Sequence, residues 1–197
     1  MPKLIAFNGP PGTGKDTAVD ITFKYLRKHN FFGKKFSIAE PIKKAVHNFY
    51  GIKYRPATIE AIKDKPLEEL CYSTLREEYI VFAEMFVKAR HGLNYFGNMA
   101  VERMKTIEKK TPVEDRIYLV SDAGFDEEIK PIVEYLGEEN CLFYKLVRQG
   151  KDWKNDSRGY LKDVPLETVL NAGSKASFEL EIQRRIRKDF LGGILEL

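Results

Sequence analysis

Apolar residues along the chain come in two rhythms, short unbroken runs and helical stripes, and the two alternate. Residues 3–8 (KLIAFN) form a short apolar run of the kind a central parallel strand shows when both its faces are covered. Past a glycine-rich stretch, Ala18, Val19, Ile21, Thr22, Tyr25 and Leu26 recur near helical spacing. Lys24, Arg27 and Lys28 lie on the other side and toward the end, which predicts a helix closing near His29-Asn30. KKFSI (34–38) predicts a second strand, and Glu40-Pro41 opens a helix over 41–50 with Ile42, Ala45, Val46 and Phe49 inward.

Gly51, Pro56 and Pro66 punctuate residues 51–70. The stretch 73–90 then predicts one long amphipathic helix with Leu75, Tyr79, Phe82, Phe86 and Ala89 on a single side. Another helix is expected over 95–109. RIYLVS (116–121) is the second clear buried-strand run, ending at Asp122, and a helix over 126–136 follows it. CLFYKLV (141–147) reads as a strand, and the polar stretch after it has no apolar periodicity, which predicts a loop or lid over 148–163. Residues 166–170 are expected to be a last short strand. A charged helix over 176–190 should bury Phe178, Leu180, Ile182 and Ile186. Strands alternating with helices predict an α/β fold with a mainly parallel sheet between helical layers. Ligands of such folds collect at the carboxyl ends of the strands.

Composition narrows the picture modestly. A chain of 197 residues suits one compact domain, here with a helical insert at about 51–110 and the short lid. Hydrophobic residues at 43% and charged residues at 31% match an ordinary globular protein, and thirteen Phe with ten Tyr supply bulk for a core. The net charge of +4 is spread along the chain and forms no reading motif, so stable nucleic-acid binding is not expected. Cys71 and Cys141 lack metal or disulfide spacing and are expected to be buried thiols, and His29, His47 and His91 keep no metal-site or triad company. The N-terminal run is neither a signal peptide nor a membrane span, so the expectation is a cytoplasmic protein with no membrane association.

The chemistry concentrates at residues 9–17, GPPGTGKDT, between the first strand and the first helix. Gly9 and Gly14-Lys15 have the spacing of a loop whose backbone N–H groups wrap a polyphosphate while the following helix aims its positive end at it. Gly9, Gly12 and Gly14 allow positive φ or close approach. Pro10, Pro11 and Thr13 complete the loop, and Lys15 supplies a compact charge for β and γ phosphates. Asp16 stands where a magnesium-ligating Ser or Thr is usual, with the hydroxyl one residue later at Thr17. A carboxylate is itself a good magnesium ligand, so Asp16 is a candidate for that role; the alternative is that it only stabilises the helix N-terminus. Asp122, at a strand's carboxyl end, is the second candidate metal ligand, or else part of a cap for the turn that follows.

A kinase acting on a small phosphorylated substrate needs cations to hold the acceptor phosphate and to offset charge as the phosphoryl group moves, and arginine suits both tasks. Arg148 ends the strand at 141–147 and Arg158 lies in the lid stretch. Arg76 and Arg90, fourteen residues apart, are candidates for substrate binding from one helical face, or else solvated helix residues.

With these pieces placed, the chain resembles the bacteriophage deoxynucleoside monophosphate kinases, within the P-loop nucleoside/nucleotide kinase class. KLIAFNGPPGTGKDTAVD is similar to that family's opening, including Gly-Lys-Asp-Thr. FSIAEPIKKAVHNFYG, YLVSDAGFDEEI, LVRQGKDWKNDSR and VLNAG resemble its later blocks, over most of residues 1–175. Two positions after Ser121-Asp122 the family often carries Arg, and Gly124 stands there instead. The resemblance implies a P-loop NTPase three-layer sandwich with a helical acceptor-binding region. It implies ATP and magnesium as cofactors, and transfer of the γ phosphate to a deoxynucleoside monophosphate, in the host cytoplasm if the chain is phage-encoded. A homodimer stays open. So do two other readings of the same loop, a kinase of another small phosphorylated metabolite and a non-catalytic nucleotide-binding module.

Overall fold

The computed structural model describes residues 3–113, 115–154, 156 and 158–191. Five strands form one sheet: β1 (Leu4–Asn8), β2 (Phe32–Phe36), β3 (Arg116–Val120), β4 (Cys141–Val147) and β5 (Glu167–Leu170). Their spatial order is β2-β3-β1-β4-β5, and every pairing is parallel. β1 therefore lies at the centre and all five of its residues are buried, which accounts for its unbroken apolar run.

Eight α-helices are described: α1 (Lys15–Lys28), α2 (Glu40–Phe49), α3 (Pro56–Ile62), α4 (Leu75–Val81), α5 (Ala89–His91), α6 (Tyr95–Lys110), α7 (Asp126–Leu136) and α8 (Lys175–Leu191). Alternate residues of a strand face opposite sides of a sheet. Ile5, Phe7, Ile117, Leu119, Tyr144, Leu146 and Val169 make one cluster with Ala18, Val19 and Ile21 of α1 and Phe178, Ile182 and Ile186 of α8. On the other face the Tyr118 hydroxyl donates to Glu108 Oε1 of α6 at 3.0 Å, and Tyr135 of α7 donates to Glu108 Oε2 at 2.5 Å. Helices thus flank the sheet on both sides, as expected of an α/β sandwich.

The chain divides into two compact units, residues 1–38 with 97–197, and residues 39–96. The first holds the whole sheet. The second is helical in its regular structure apart from an isolated antiparallel bridge between Pro66 and Thr74: α2, α3, a 3₁₀ turn at Glu68–Leu70, then α4, a π-helical stretch Phe82–Lys88 and α5. The capping box that opens α4 is made by the Thr74 hydroxyl and Glu77.

Four details differ from the sequence reading. β2 lies at 32–36 rather than 34–38, because its ladder runs from Phe32 against Arg116 to Phe36 against Val120; Ser37 and Ile38 leave it to bond Asp122. The single helix over 73–90 is interrupted: the i→i+5 bonding of residues 82–88 adds residues to the turn and rotates the stripe. Ala83 and Lys88 are buried in consequence, while Phe86 and Ala89 are exposed. Phe49 and Leu180 are also exposed, the first as the last residue of α2, the second two residues off the 178/182/186 stripe and so on the opposite face. Cys71 is exposed where a 3₁₀ turn ends at φ +52°; only Cys141 is buried, and burial pushes its thiol up to about 12.

Candidate functional site

Because all five strands are parallel, the segments leaving their carboxyl ends gather at one edge of the sheet. There, residues 9–14 leave the central strand, flanked by the segments that follow β3 and β4. β1 leads into α1 on one face and β3 into α7 on the other. A crevice opens where neighbouring connections diverge in this way.

The 9–14 loop has little freedom. Gly12 and Gly14 adopt φ +76° and +99°, a region that L side chains rarely enter. A Cβ at Gly9 would stand 2.7 Å from the Leu146 carbonyl oxygen, so only glycine lets β1 turn beside β4. The buried Thr13 hydroxyl donates to the Pro10 carbonyl at 2.8 Å and closes the loop on itself. Asn171, just after β5, donates from Nδ2 to Thr13 O at 2.8 Å and holds the loop from outside.

Gly14 is the N-cap of α1 and offers no side-chain cap, so the first-turn N–H groups of α1 have no side-chain acceptor from that position. Lys15 curls over the loop, its Nζ 2.6 Å from Gly9 O and 2.8 Å from Pro10 O. Arg148 Nη1 donates to Gly12 O at 3.2 Å. The stem of Lys151 lies over Gly12, its Cε 3.1 Å from where a Cβ would be. Three cationic side chains and an uncapped helix N-terminus therefore converge on six residues of backbone, an arrangement suited to an anion.

The acidic candidates sit beside this loop. Asp16 Oδ1 accepts from the Ser121 hydroxyl at 2.6 Å, which links the first turn of α1 to the end of β3. Asp122 accepts from the Ser37 hydroxyl at 2.6 Å and from the Ile38 amide at 3.1 Å. Arg103 of α6 donates to Ser37 O at 2.8 Å and stacks over Phe36, 4.5 Å from the ring centre. Among the described residues no group of three or more His, Cys, Asp or Glu could hold a metal. One or two carboxylates fit magnesium brought in on nucleotide phosphates, which keeps most of its shell as water and phosphate oxygen. Asp16 and Asp122 fit that role; a cage built wholly of protein ligands does not.

The 148–163 stretch is irregular where described, and it is tied down at its far end. Arg158 pairs with Asp156 through Nε (2.8 Å) and Nη2 (2.6 Å). Asn8, fully buried at the end of β1, donates to Ala123 O (2.8 Å) and Gly159 O (3.0 Å) and accepts from the Leu161 amide (3.1 Å). Asp126 Oδ1 accepts from the amides of Lys162 and Asp163.

Arg76 and Arg90 both lie in the 39–96 unit. The Arg76 guanidinium is bonded to Asp64, and that bond, first among its causes, holds the Asp64 carboxyl below its ordinary range. Arg90 is an exposed residue of α5. The 9–17 loop, Asp122, Arg148 and Arg158 are brought to the one sheet edge; Arg76 and Arg90 lie outside that unit. Sequence reasoning missed Lys151, Asn171, Ser121, Asn8 and Arg103. Their spacing carries no signal, because each joins the site through a contact between distant segments. No family model matches the chain, and no curated protein does.

Proposed function

We propose that this protein is a P-loop kinase that transfers the γ phosphate of ATP to a (deoxy)nucleoside 5′-monophosphate, with magnesium bound to the nucleotide. One observation carries the reading. A glycine loop leaves the central strand of a parallel sheet, two of its glycines sit at positive φ, and the uncapped helix N-terminus, Lys15, Arg148 and Lys151 face the same loop.

In this reading the amides of 12–17 hold phosphate oxygens and Lys15 neutralises β and γ phosphate charge. Magnesium, held in part by Asp16 and Asp122, supplies charge neutralisation when it is bound. The acceptor phosphate is ionised at neutral pH, so no protein nucleophile is needed and positioning with electrostatics carries the rate. Arg148 and Arg158 offset charge on the group in flight. The polar 148–163 stretch covers the site and keeps water out.

The test is turnover of ATP with magnesium against a panel of deoxynucleoside and ribonucleoside monophosphates. Stoichiometric ADP and nucleoside diphosphate are expected with at least one acceptor, and a Lys15→Ala variant should lose activity on the order of a hundredfold or more. Absence of transfer to every acceptor overturns the reading.

A further inference from the structure

Arg158 reaches the strand edge from a stretch that is irregular where described, and the structure contains a seat for it. A Cβ on Gly124 would lie 2.6 Å from Arg158 Cδ, 2.8 Å from Cγ and 3.1 Å from Cβ. Among the described residues, and apart from the chain neighbours of Gly124, the three nearest atoms to the empty position at 124 all belong to that one side chain. Gly124 is buried, and its φ is not in the left-handed region, so neither turn geometry nor exposure calls for glycine here. The Gly159 amide donates to Gly124 O at 3.3 Å.

Two further groups fix the approach. Asn8 satisfies both its amide donors and its oxygen on Ala123, Gly159 and Leu161, which pins the residue after Arg158 to the residue before Gly124. Asp156 accepts from the backbone amide, Nε and Nη2 of Arg158, which fixes the plane of the guanidinium.

We propose that Gly124 is a positioning residue: the missing side chain at 124 seats Arg158 at the end of β3, two residues from Asp122, with Asn8 and Asp156 holding it there. The proposal rests on the kinase reading for its functional consequence, though not for the seat itself.

The experiment is a double-variant cycle on turnover with Gly124→Ala, Arg158→Ala and the pair together. Gly124→Ala should lower kcat about as far as Arg158→Ala, on the order of a hundredfold, with KM for ATP changed less than about threefold. The pair should be no worse than either alone, because Arg158→Ala removes the two atoms under 3.0 Å from the added Cβ and leaves only the residue-158 Cβ, at 3.1 Å. Wild-type kcat in Gly124→Ala, or losses that multiply in the pair, overturns the proposal while leaving the kinase reading intact.

A second measurement needs no turnover and covers the case in which the kinase reading itself fails. The side-chain Nε–H resonance of Arg158, bonded to Asp156, should shift or broaden in Gly124→Ala and stay in place in Lys15→Ala. An unchanged Arg158 resonance in folded Gly124→Ala removes the seat.

Discussion

Gly14 shows how much a single position is asked to do. It stands at φ +99° as the N-cap of α1, and a Cβ there would lie 2.8 Å from Asn171 Nδ2 and 3.2 Å from Phe178 Cε1. Two independent costs follow from adding one methyl group. The backbone must hold a left-handed conformation, which for an L residue costs about 1–2 kcal/mol. Asn171 must also move, and with it goes the bond that holds Thr13 O. Gly14→Ala is therefore expected to lower stability by roughly 1–3 kcal/mol, read as a lower denaturant midpoint at unchanged m-value. Nucleotide binding should fall with it, because the loop amides lose their fixed directions. A variant with wild-type stability and wild-type ATP affinity would show that the loop tolerates a side chain here.

Elements, by contrast, are decided by stripes, and α8 separates a stripe from mere composition. Phe178, Ile182 and Ile186 are i, i+4 and i+8 and all are buried against α1 and the sheet, whereas Leu180 is 68% exposed. Ile182→Ala should cost about 2–5 kcal/mol and Leu180→Ala within about 0.5 kcal/mol, both measured by chemical denaturation. Equal losses would mean that α8 packs in another rotation. The same contrast explains what was legible in the sequence. β1, β3 and β4 are legible because they are buried along most of their length, and helices α1, α6 and α7 because each buries one stripe; β5, where only Val169 is buried, is legible as a short run alone. Leu180 is not legible because an apolar residue need not face in, and the break at 82–88 is not legible because a π-helical stretch leaves no mark on hydrophobic spacing. In the loop, Gly9 to Thr17 was legible as a contiguous motif. Asn8 with Gly159, Ser121 with Asp16 and Gly124 with Arg158 were not, since they are pairs 105 to 151 residues apart or, for the last, a fit of shapes.

At the scale of the whole molecule, stability and ligand binding are linked, and the division into two units makes the linkage specific. The 9–17 loop, Asp122, Arg148 and Arg158 all belong to residues 1–38 with 97–197, and the sheet that positions them lies in the same unit. A nucleotide that binds the folded loop and not the unfolded chain adds RT ln(1 + [L]/Kd), about 2.7 kcal/mol at a hundredfold excess over Kd. For a chain of this size that corresponds to a rise of roughly 5–10 °C in the midpoint of the transition that unfolds the sheet. The rise should require magnesium, because the phosphates carry charge that Lys15, Arg148 and Lys151 only partly offset. Lys15→Ala should abolish most of it while the midpoint without nucleotide stays close to that of the wild type, since the ammonium bonds to Gly9 O and Pro10 O at the edge of the core rather than within it. Scanning calorimetry with and without ATP and magnesium reads both quantities at once. A shift of equal size in Lys15→Ala would place the nucleotide away from the glycine loop, and no shift in the wild type at millimolar ATP would remove nucleotide binding from this edge of the sheet.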